Sequence, residues 1–421
     1  MKNFRIKRWV GIFLLGMPFG VGAEGPVTLR DAAQEVLQHN PELAAAREAL
    51  SAAEAREKAS RSNFYPQISA SADYKRGGAG TVFTSPAADV AGAGVRASQN
   101  LFEGLKTLAA VDIQRARVEA ARANRDRVEA RLGLELKSAF GDLLFAQENL
   151  VLAQRILKRR QDNLDLVELR FEGGREHKGS YLRIKAARRQ AQFESAQAER
   201  DVSVAGTRLA RVLGRDLYNV PVATGSFLTQ TPPPTPDFGA LAHVTPNVRL
   251  AEADLRGAEA GLTLSRGDYY PSLDATLSQT WLDTRWPPED RAWSGGISLS
   301  LPLFAGGAHV QGVRASQADL ARVRALATNV FTQAFLDLKT DWTVFRDARE
   351  NVDVQREFTE ASEVRALISR SQYTNGLLSF DDWDLIENDL INTHKQWLAV
   401  QRNAVRAEAA WENTQGKGLN P

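Results

Sequence analysis

Residues Leu132–Gly174, LGLELKSAFGDLLFAQENLVLAQRILKRRQDNLDLVELRFEGG, decide the fold. Leu132, Leu136, Ala139, Leu143, Ala146, Leu150, Ala153 and Leu157 recur in alternating steps of four and three, and Leu164, Val167 and Phe171 keep the same phase. This is a heptad seam, the pattern that packs one long helix against another. Arg160 is the only charged residue that falls on it. The surrounding run from Gly104 to about Phe171 holds no proline, and at 1.5 Å per residue it predicts a single helix ~100 Å long. No compact domain accommodates such a helix. At Phe171-Glu172-Gly173-Gly174 the paired glycines give the backbone the freedom a reversal needs. A second helix returns from about Ser180, with Ala198, Val202, Ala205, Leu209 and Val212 at heptad spacing, and stops at Gly214. The unit is a long helical hairpin.

Upstream, Thr28 caps a short helix through Gln38, and Pro41 occupies a favoured first-turn position of the next. That helix has a seam of Leu43, Ala46, Leu50 and Ala53, continued in phase by Glu57, Ser60 and Phe64. After Tyr65-Pro66 the period changes to two: Ile68, Ala70, Ala72 and Tyr74 share one strand face, with Ser69, Ser71 and Asp73 on the other. Lys75 to Gly94, rich in Gly, Ala, Ser and Pro, reads as a loop. A second strand, Val95 to Phe102, leads through Leu101-Phe102-Glu103-Gly104 into the long helix. Beyond Gly214 the chain reads as irregular to about Thr245, with Pro232, Pro233, Pro234 and Pro236 forming a stiff connector.

Then the whole arrangement repeats. Val248, Ala251, Leu255, Ala258, Leu262, Ser265 and Tyr269 lie 205 positions after Leu43, Ala46, Leu50, Ala53, Glu57, Ser60 and Phe64. Tyr269-Tyr270-Pro271 echoes Phe64-Tyr65-Pro66. The third strand carries Leu273, Ala275, Leu277 and Trp281 on one face, and the fourth Ile297, Leu299, Leu301 and Leu303. Leu303-Phe304-Ala305-Gly306 follows Leu101-Phe102-Glu103-Gly104 by 202 positions, and Tyr373-Thr374-Asn375-Gly376 follows Phe171-Glu172-Gly173-Gly174 by the same 202. Trp383, Ile386, Leu390, Trp397, Val400, Ala404, Ala407 and Trp411 share one heptad phase of the second return helix. The domains predicted are a leader at 1–23, a first repeat at 24–214, a connector at 215–245, a second repeat at 246–413 and a tail at 414–421.

With 421 residues, 43% of them apolar and 25% charged, the chain falls in the folded class. Lys2, Arg5, Lys7 and Arg8, an apolar run from Trp9 to Phe19 and Val21-Gly22-Ala23 have the order of a secretory leader. Removing those four cations turns a net charge of +2 into −2, which leaves no basic balance for nucleic acid. With no cysteine there is no disulfide framework, no cysteine-linked lipid and no thiol chemistry. No apolar run of ~18 residues follows the leader, so a membrane crossing must use strands. Strands of nine or so residues have about the length needed to cross a bilayer tilted. Four cannot close a barrel, and open edges are not viable in hydrocarbon, so several chains must share one. Tyr65, Tyr74, Phe102, Tyr269, Tyr270, Trp281, Trp293 and Phe304 fall near strand ends, where aromatic girdles belong.

Two repeats of strand, strand, long helix and return helix, each with a Tyr-Pro lead-in, a Leu-Phe-x-Gly exit and a glycine reversal, resemble the outer membrane efflux protein (TolC) family across essentially the whole mature chain. The resemblance implies a mainly α fold with a small transmembrane β part: a homotrimer whose 12-stranded barrel continues as an α-helical periplasmic tunnel. It further implies a passive outer-membrane channel that docks to a periplasmic adaptor and an inner-membrane pump to export small molecules or ions. A type I protein secretion duct is the alternative within that class, and a periplasmic coiled-coil scaffold the alternative outside it.

The first reversal and its return helix are basic, with Arg170, Arg175, Lys178, Arg183, Lys185, Arg188 and Arg189. The second is acidic, with Asp381, Asp382, Asp384, Glu387 and Asp389. Opposite charges on neighbouring hairpins are expected to pair and hold the tunnel closed, and some carboxylates to face the lumen and favour cations. By resemblance, Tyr373 matches the tyrosine of the closed-state contacts and Asp382 the aspartate of the entrance ring; the family's nearby arginine aligns with Leu378, and extra residues stand around Arg175 to Lys178. Tyr373, Asp381, Asp382, Asp384, Arg175 and Lys178 are therefore the expected gate, and Gly173, Gly174, Asn375, Gly376, Leu377 and Ser379 the expected adaptor contacts. His39, His177, His243, His309 and His394 lack metal-ligand spacing, and no glycine pair continues into a phosphate loop. The carboxylate pairs lie only on polar helix faces or near the reversal, where nothing makes a dry acid-base pocket. No catalytic, cofactor or metal residues are predicted.

Overall fold

A computed structural model describes residues 26–75, 90–218, 220–227, 229 and 231–419. The predicted leader and most of the predicted 75–94 loop lie outside the described residues. The chain runs α1 (Leu29–His39), α2 (Pro41–Ser60), β1 (Gln67–Lys75), β2 (Val90–Glu103), α3 (Lys106–Glu172) and α4 (Lys178–Leu213). It continues with α5 (Phe238–Val244), α6 (Pro246–Arg266), β3 (Ser272–Asp283), β4 (Asp290–Ser300), α7 (Ala308–Thr374) and α8 (Phe380–Thr414). The two long helices, α3 and α7, have 67 residues each, about 100 Å of helix. Local chemistry fixes the starts of the short ones: the Asn40 side chain accepts from the amides of Glu42 and Leu43, and Pro41 opens α2.

The four strands form one antiparallel sheet in the order β1-β2-β3-β4. The central β2–β3 pair joins the two repeats, and β1 and β4 are its edges within the chain. The register sets Ile68, Ala97, Leu277 and Gly295 level on one face, and Ser69, Arg96, Ser278 and Ser294 level on the other. Much of the apolar face is exposed, including Ile68, Val95, Leu277, Trp293, Ile297 and Leu299, while Ala91 at one end is buried. A bulge at Leu101 lets Phe102 rejoin that face opposite Leu273.

β2 starts at Val90, not Val95, so residues 90–94 are strand rather than loop; Leu301 and Leu303 lie past the end of β4. The Leu-Phe-x-Gly exit has a steric cause. Gly104 has φ 65°, and a Cβ there would sit 2.5 Å from Tyr270 Cβ and 2.7 Å from the Gly267 carbonyl oxygen. Only glycine lets the strand turn into α3 beside the opposite repeat.

α3 forms one hairpin with α4, α7 another with α8, and α3 also packs on α8 and α6. A core between α1, α2, α3 and α4 contains Leu43, Leu132, Leu136, Leu143, Leu209 and Leu213. A second, between α5, α6, α7 and α8, contains Val248, Leu338, Trp342, Phe345 and Trp411. The connector is more ordered than its prolines predict. Asp237 caps α5, Phe238 meets the Trp342 ring edge-on at 5.9 Å, and the Trp342 indole donates to the Pro233 carbonyl at 3.3 Å. The predicted tail beyond α8 crosses back to the first repeat, where Leu419 is buried in the first core. On α7, by contrast, Phe358, Val364, Leu367 and Ile368 remain uncovered.

Candidate functional site at the helix reversals

Both reversals are built the same way. Gly174 has φ 67° and Gly376 φ 78°; the Arg175 amide donates to the Arg170 carbonyl at 2.8 Å, and the Leu377 amide to the Gln372 carbonyl at 2.9 Å. These bonds, with Gly174 N–H to Phe171 O and Gly376 N–H to Tyr373 O, are paired Schellman closures, which need left-handed backbone at the glycine. The cap residue of each return helix stands three positions after that glycine. His177 Nδ1 accepts the Ser180 amide of α4, and the Ser379 hydroxyl accepts the Asp382 amide of α8 while donating to the Asp382 carboxylate at 2.7 Å. Asp382 is thus half of a cap exchange.

The hairpins meet through a buried polar cluster. Arg159 on α3 donates two bonds to the Glu387 carboxylate on α8, at 2.6 and 2.7 Å, and Asn163 donates a third at 3.0 Å. Glu387 is fully buried. Arg160 lies 3.6 Å from Asp384 and donates to Asn388 at 2.5 Å, while Arg183 of α4 reaches Asp384 from the other side at 2.7 Å. Hydrogen bonding to Glu387 raises the Arg159 pKa, whereas burial lowers that of Arg160 against the pull of Asp384 and Glu387. One turn nearer the reversal, Tyr373 stacks on Trp383 with ring centroids 4.4 Å apart, and Phe380 meets both edge-on. Arg170 lies 4.6 Å above the Tyr373 ring and donates to its carbonyl at 2.8 Å. The Tyr373 hydroxyl donates to Glu176 at 2.9 Å. Burial, then that bond, raises the phenol pKa. Burial pushes the Glu176 carboxyl up, but bonds from Tyr373, Ser180 and the His177 amide outweigh it and hold it below the usual range.

The expected gate residues therefore divide. Tyr373 and Asp384 are buried between the hairpins, with Tyr373 bonded to the first reversal and Asp384 to α3 and α4, whereas Asp381, Asp382, Arg175 and Lys178 are exposed. Among the described residues no ion pair joins Arg175 or Lys178 to the second reversal; the basic partners are Arg159, Arg160 and Arg183, and the hairpins they join belong to one chain. Arg160 was marked in the sequence as the charged residue on an apolar seam, and a seam charge demands a buried partner. Glu387 belongs to the acidic run expected to pair, and its partner is Arg159; Asn163 and Glu176 carry no such signal. Leu378 packs against the aromatic cluster, so no cation stands there. Gly173, Gly174, Asn375, Gly376, Leu377 and Ser379 form an exposed tip. Among the described residues no group of side chains has metal-holding geometry, and no helix is long and apolar enough to cross a membrane.

The family model for outer membrane efflux proteins matches residues 32–215 and 240–416, the two repeats on either side of the connector. The outer membrane efflux protein BepC of Brucella suis biovar 1 (strain 1330) is 21% identical over 397 residues, covering 93% of this chain and 85% of that protein. Among solved structures, the outer-membrane channel OprN superposes with a TM-score of 0.81 at 22% identity, over 93% of this chain and 91% of its own. The Neisseria gonorrhoeae MtrE outer membrane channel, solved in its open state, gives 0.82 at 20% identity, over 93% and 89%.

Proposed function

The chain belongs to the outer membrane efflux protein family and is an outer-membrane protein with the TolC-like channel fold, and on that premise we propose that it is the passive exit duct of a tripartite export system. Three copies share one barrel of twelve strands, continued by a helical tunnel into the periplasm. The tunnel meets a periplasmic adaptor and an inner-membrane pump and passes small molecules or ions without chemistry of its own. The observation that carries this reading is the sheet: one face largely apolar and exposed, the other polar, and the outer sides of β1 and β4 without a partner strand among the described residues. Such a sheet is viable in hydrocarbon only when further copies close its edges. The uncovered apolar face of α7, with Phe358, Leu367 and Ile368 exposed, supports the same assembly, because a neighbouring copy would cover it.

In this account the inter-hairpin cluster restrains the inner end of the tunnel. Tyr373 and Asp384 act as closing contacts, and exposed Asp381, Asp382, Arg175 and Lys178 set the charge at the mouth. The tips at Gly173, Gly174, Asn375, Gly376, Leu377 and Ser379 are the adaptor contacts; Leu377 is 78% exposed although apolar, as a residue awaiting a partner is. A photo-crosslinker at Asn375 is expected to capture the adaptor in cells. Leu377→Asp is expected to cut that yield about tenfold, a loss of ~1.4 kcal/mol, with trimer mass and conductance unchanged. Undiminished crosslinking in the Leu377→Asp protein would place docking elsewhere.

A further inference from the structure

The polar face of the sheet carries a charge that the export reading leaves unused. On that face the level through the middle of the sheet consists of Ser69, Arg96, Ser278 and Ser294, one residue from each strand. Ser278 and Ser294 bond each other at 2.9 Å, and among the described residues Arg96 is exposed with no hydrogen bond or ion pair. The carboxylates on the same face lie well away along the strands. Asp73 and Asp290 stand at the level of Gly92 and Asp274 opposite Asn100, both levels four residues along β2 from Arg96, about 13 Å at the rise of a strand; Glu103 is farther still along β2. Asp73 and Asp274 also have partners of their own: Asp73 lies 3.6 Å from Lys75, and Asp274 accepts from Asn100 at 2.8 Å. At physiological ionic strength a separation of ~13 Å exceeds the Debye length of about 8 Å. None of these carboxylates neutralises the guanidinium.

We propose that Arg96 is the charge-selective residue midway along the barrel lumen, and that three copies at one depth of the shared barrel favour anionic solutes over cations. This rests on the trimeric barrel proposed above. The apolar face of the sheet meets lipid, so the serine and Arg96 level meets water. An arginine cannot deprotonate in this pH range and keeps its charge at any working pH. Rings of arginine are one means by which pores select anions. The flanking serines are too short to cover the guanidinium, which leaves it free to attract carboxylate or phosphate groups in transit. Its position is remote from the reversal carboxylates, separated by the length of α3.

Because the sequence has no cysteine, Arg96→Cys introduces a single thiol and makes the test specific. The full-length variant is reconstituted in planar bilayers and reversal potentials are read across a salt gradient near 0.01–0.1 M, where the Debye length is about 10–30 Å. The anion-to-cation permeability ratio is expected to fall about twofold or more relative to wild type. A cationic, water-soluble thiol reagent should restore it, and an anionic one should push it further towards cations. Arg96→Gln, with no thiol, should show the fall and ignore both reagents. Conducting channels whose selectivity is unchanged by either substitution, or whose thiol is inert to both reagents, would overturn the role of Arg96 and leave the exit-duct reading standing. Wild-type chains that form no channel at all would overturn both.

Discussion

Asp384→Ala channels are expected to conduct several-fold more than wild type and to melt earlier at the periplasmic end. Arg160 and Asp384 have side chains 7% and 4% exposed, and Arg160 Nη1 has no hydrogen-bond partner beyond the 3.6 Å approach of that carboxylate. Removing the carboxylate leaves a guanidinium in the seam hydrogen-bonded only to Asn388 and releases Arg183 on α4. Breaking one side of a buried pair costs about 3–5 kcal/mol, because the remaining charge is uncompensated. The loss falls where α3 and α4 of the first hairpin grip α8 of the second, so the hairpins should part there. Replacing both members with leucine should recover much of the stability, since apolar pairs of similar volume substitute well for buried ions. Single-channel recording and thermal melts of the two variants check both statements. An Asp384→Ala channel with wild-type conductance would show that the cluster does not restrain the tunnel.

Trp383→Ala should be comparably severe. Trp383 is fully buried, stacked on Tyr373 and in edge contact with Phe380. Deleting a buried tryptophan side chain costs about 3–5 kcal/mol, the spread reflecting how far the site can collapse. Here collapse is limited by Val167 and Ile184 on the first hairpin, both 0% exposed and packed in the same cluster. The reversals should then be cut by trypsin at Arg170 and Arg175 many times faster than in wild type, with the sheet unaffected. Trp383→Phe, which keeps an aromatic face against Tyr373, should sit much closer to wild type. Equal cleavage rates in the alanine variant and wild type would mean that the aromatic cluster does not order the tip.

Where residues repeat at helical or strand spacing, the architecture was legible before any coordinate. The heptad seam from Leu132 to Phe171 lies along α3; Leu132, Leu136, Leu143 and Val167 are buried, Leu150, Leu157 and Leu164 half-buried, and Phe171 at the reversal is exposed. What escaped had local chemistry at odds with its surroundings. Val90–Gly94 is glycine- and alanine-rich and looks like loop, yet it pairs with β1 on one side and β3 on the other; neighbours on both edges override weak intrinsic preference. α5 is only seven residues long, too short to show a helical period, and is held by Phe238 against Trp342. The tail at 414–421 has no helical or strand period of its own, yet it lays Leu419 into the first repeat's core. For the site, the opposite charges of the two reversals were legible and their pairing was not. Arg175 and Lys178 are at the tip facing water, whereas Arg159 and Arg160 lie one side chain deep in the α3–α8 contact, which no single-helix pattern specifies.

The central claim is that several copies close the sheet edges into one barrel. It is tested most directly by the mass and shape of the detergent-extracted full chain, from light scattering corrected for bound detergent together with negative-stain images. The account predicts three chains per particle and an elongated body well over ~100 Å long, the span of α3 or α7 alone. A monomer, or a rod that stays in solution without detergent, would contradict it: the apolar face of the sheet would then meet no lipid, and its open edges no second copy.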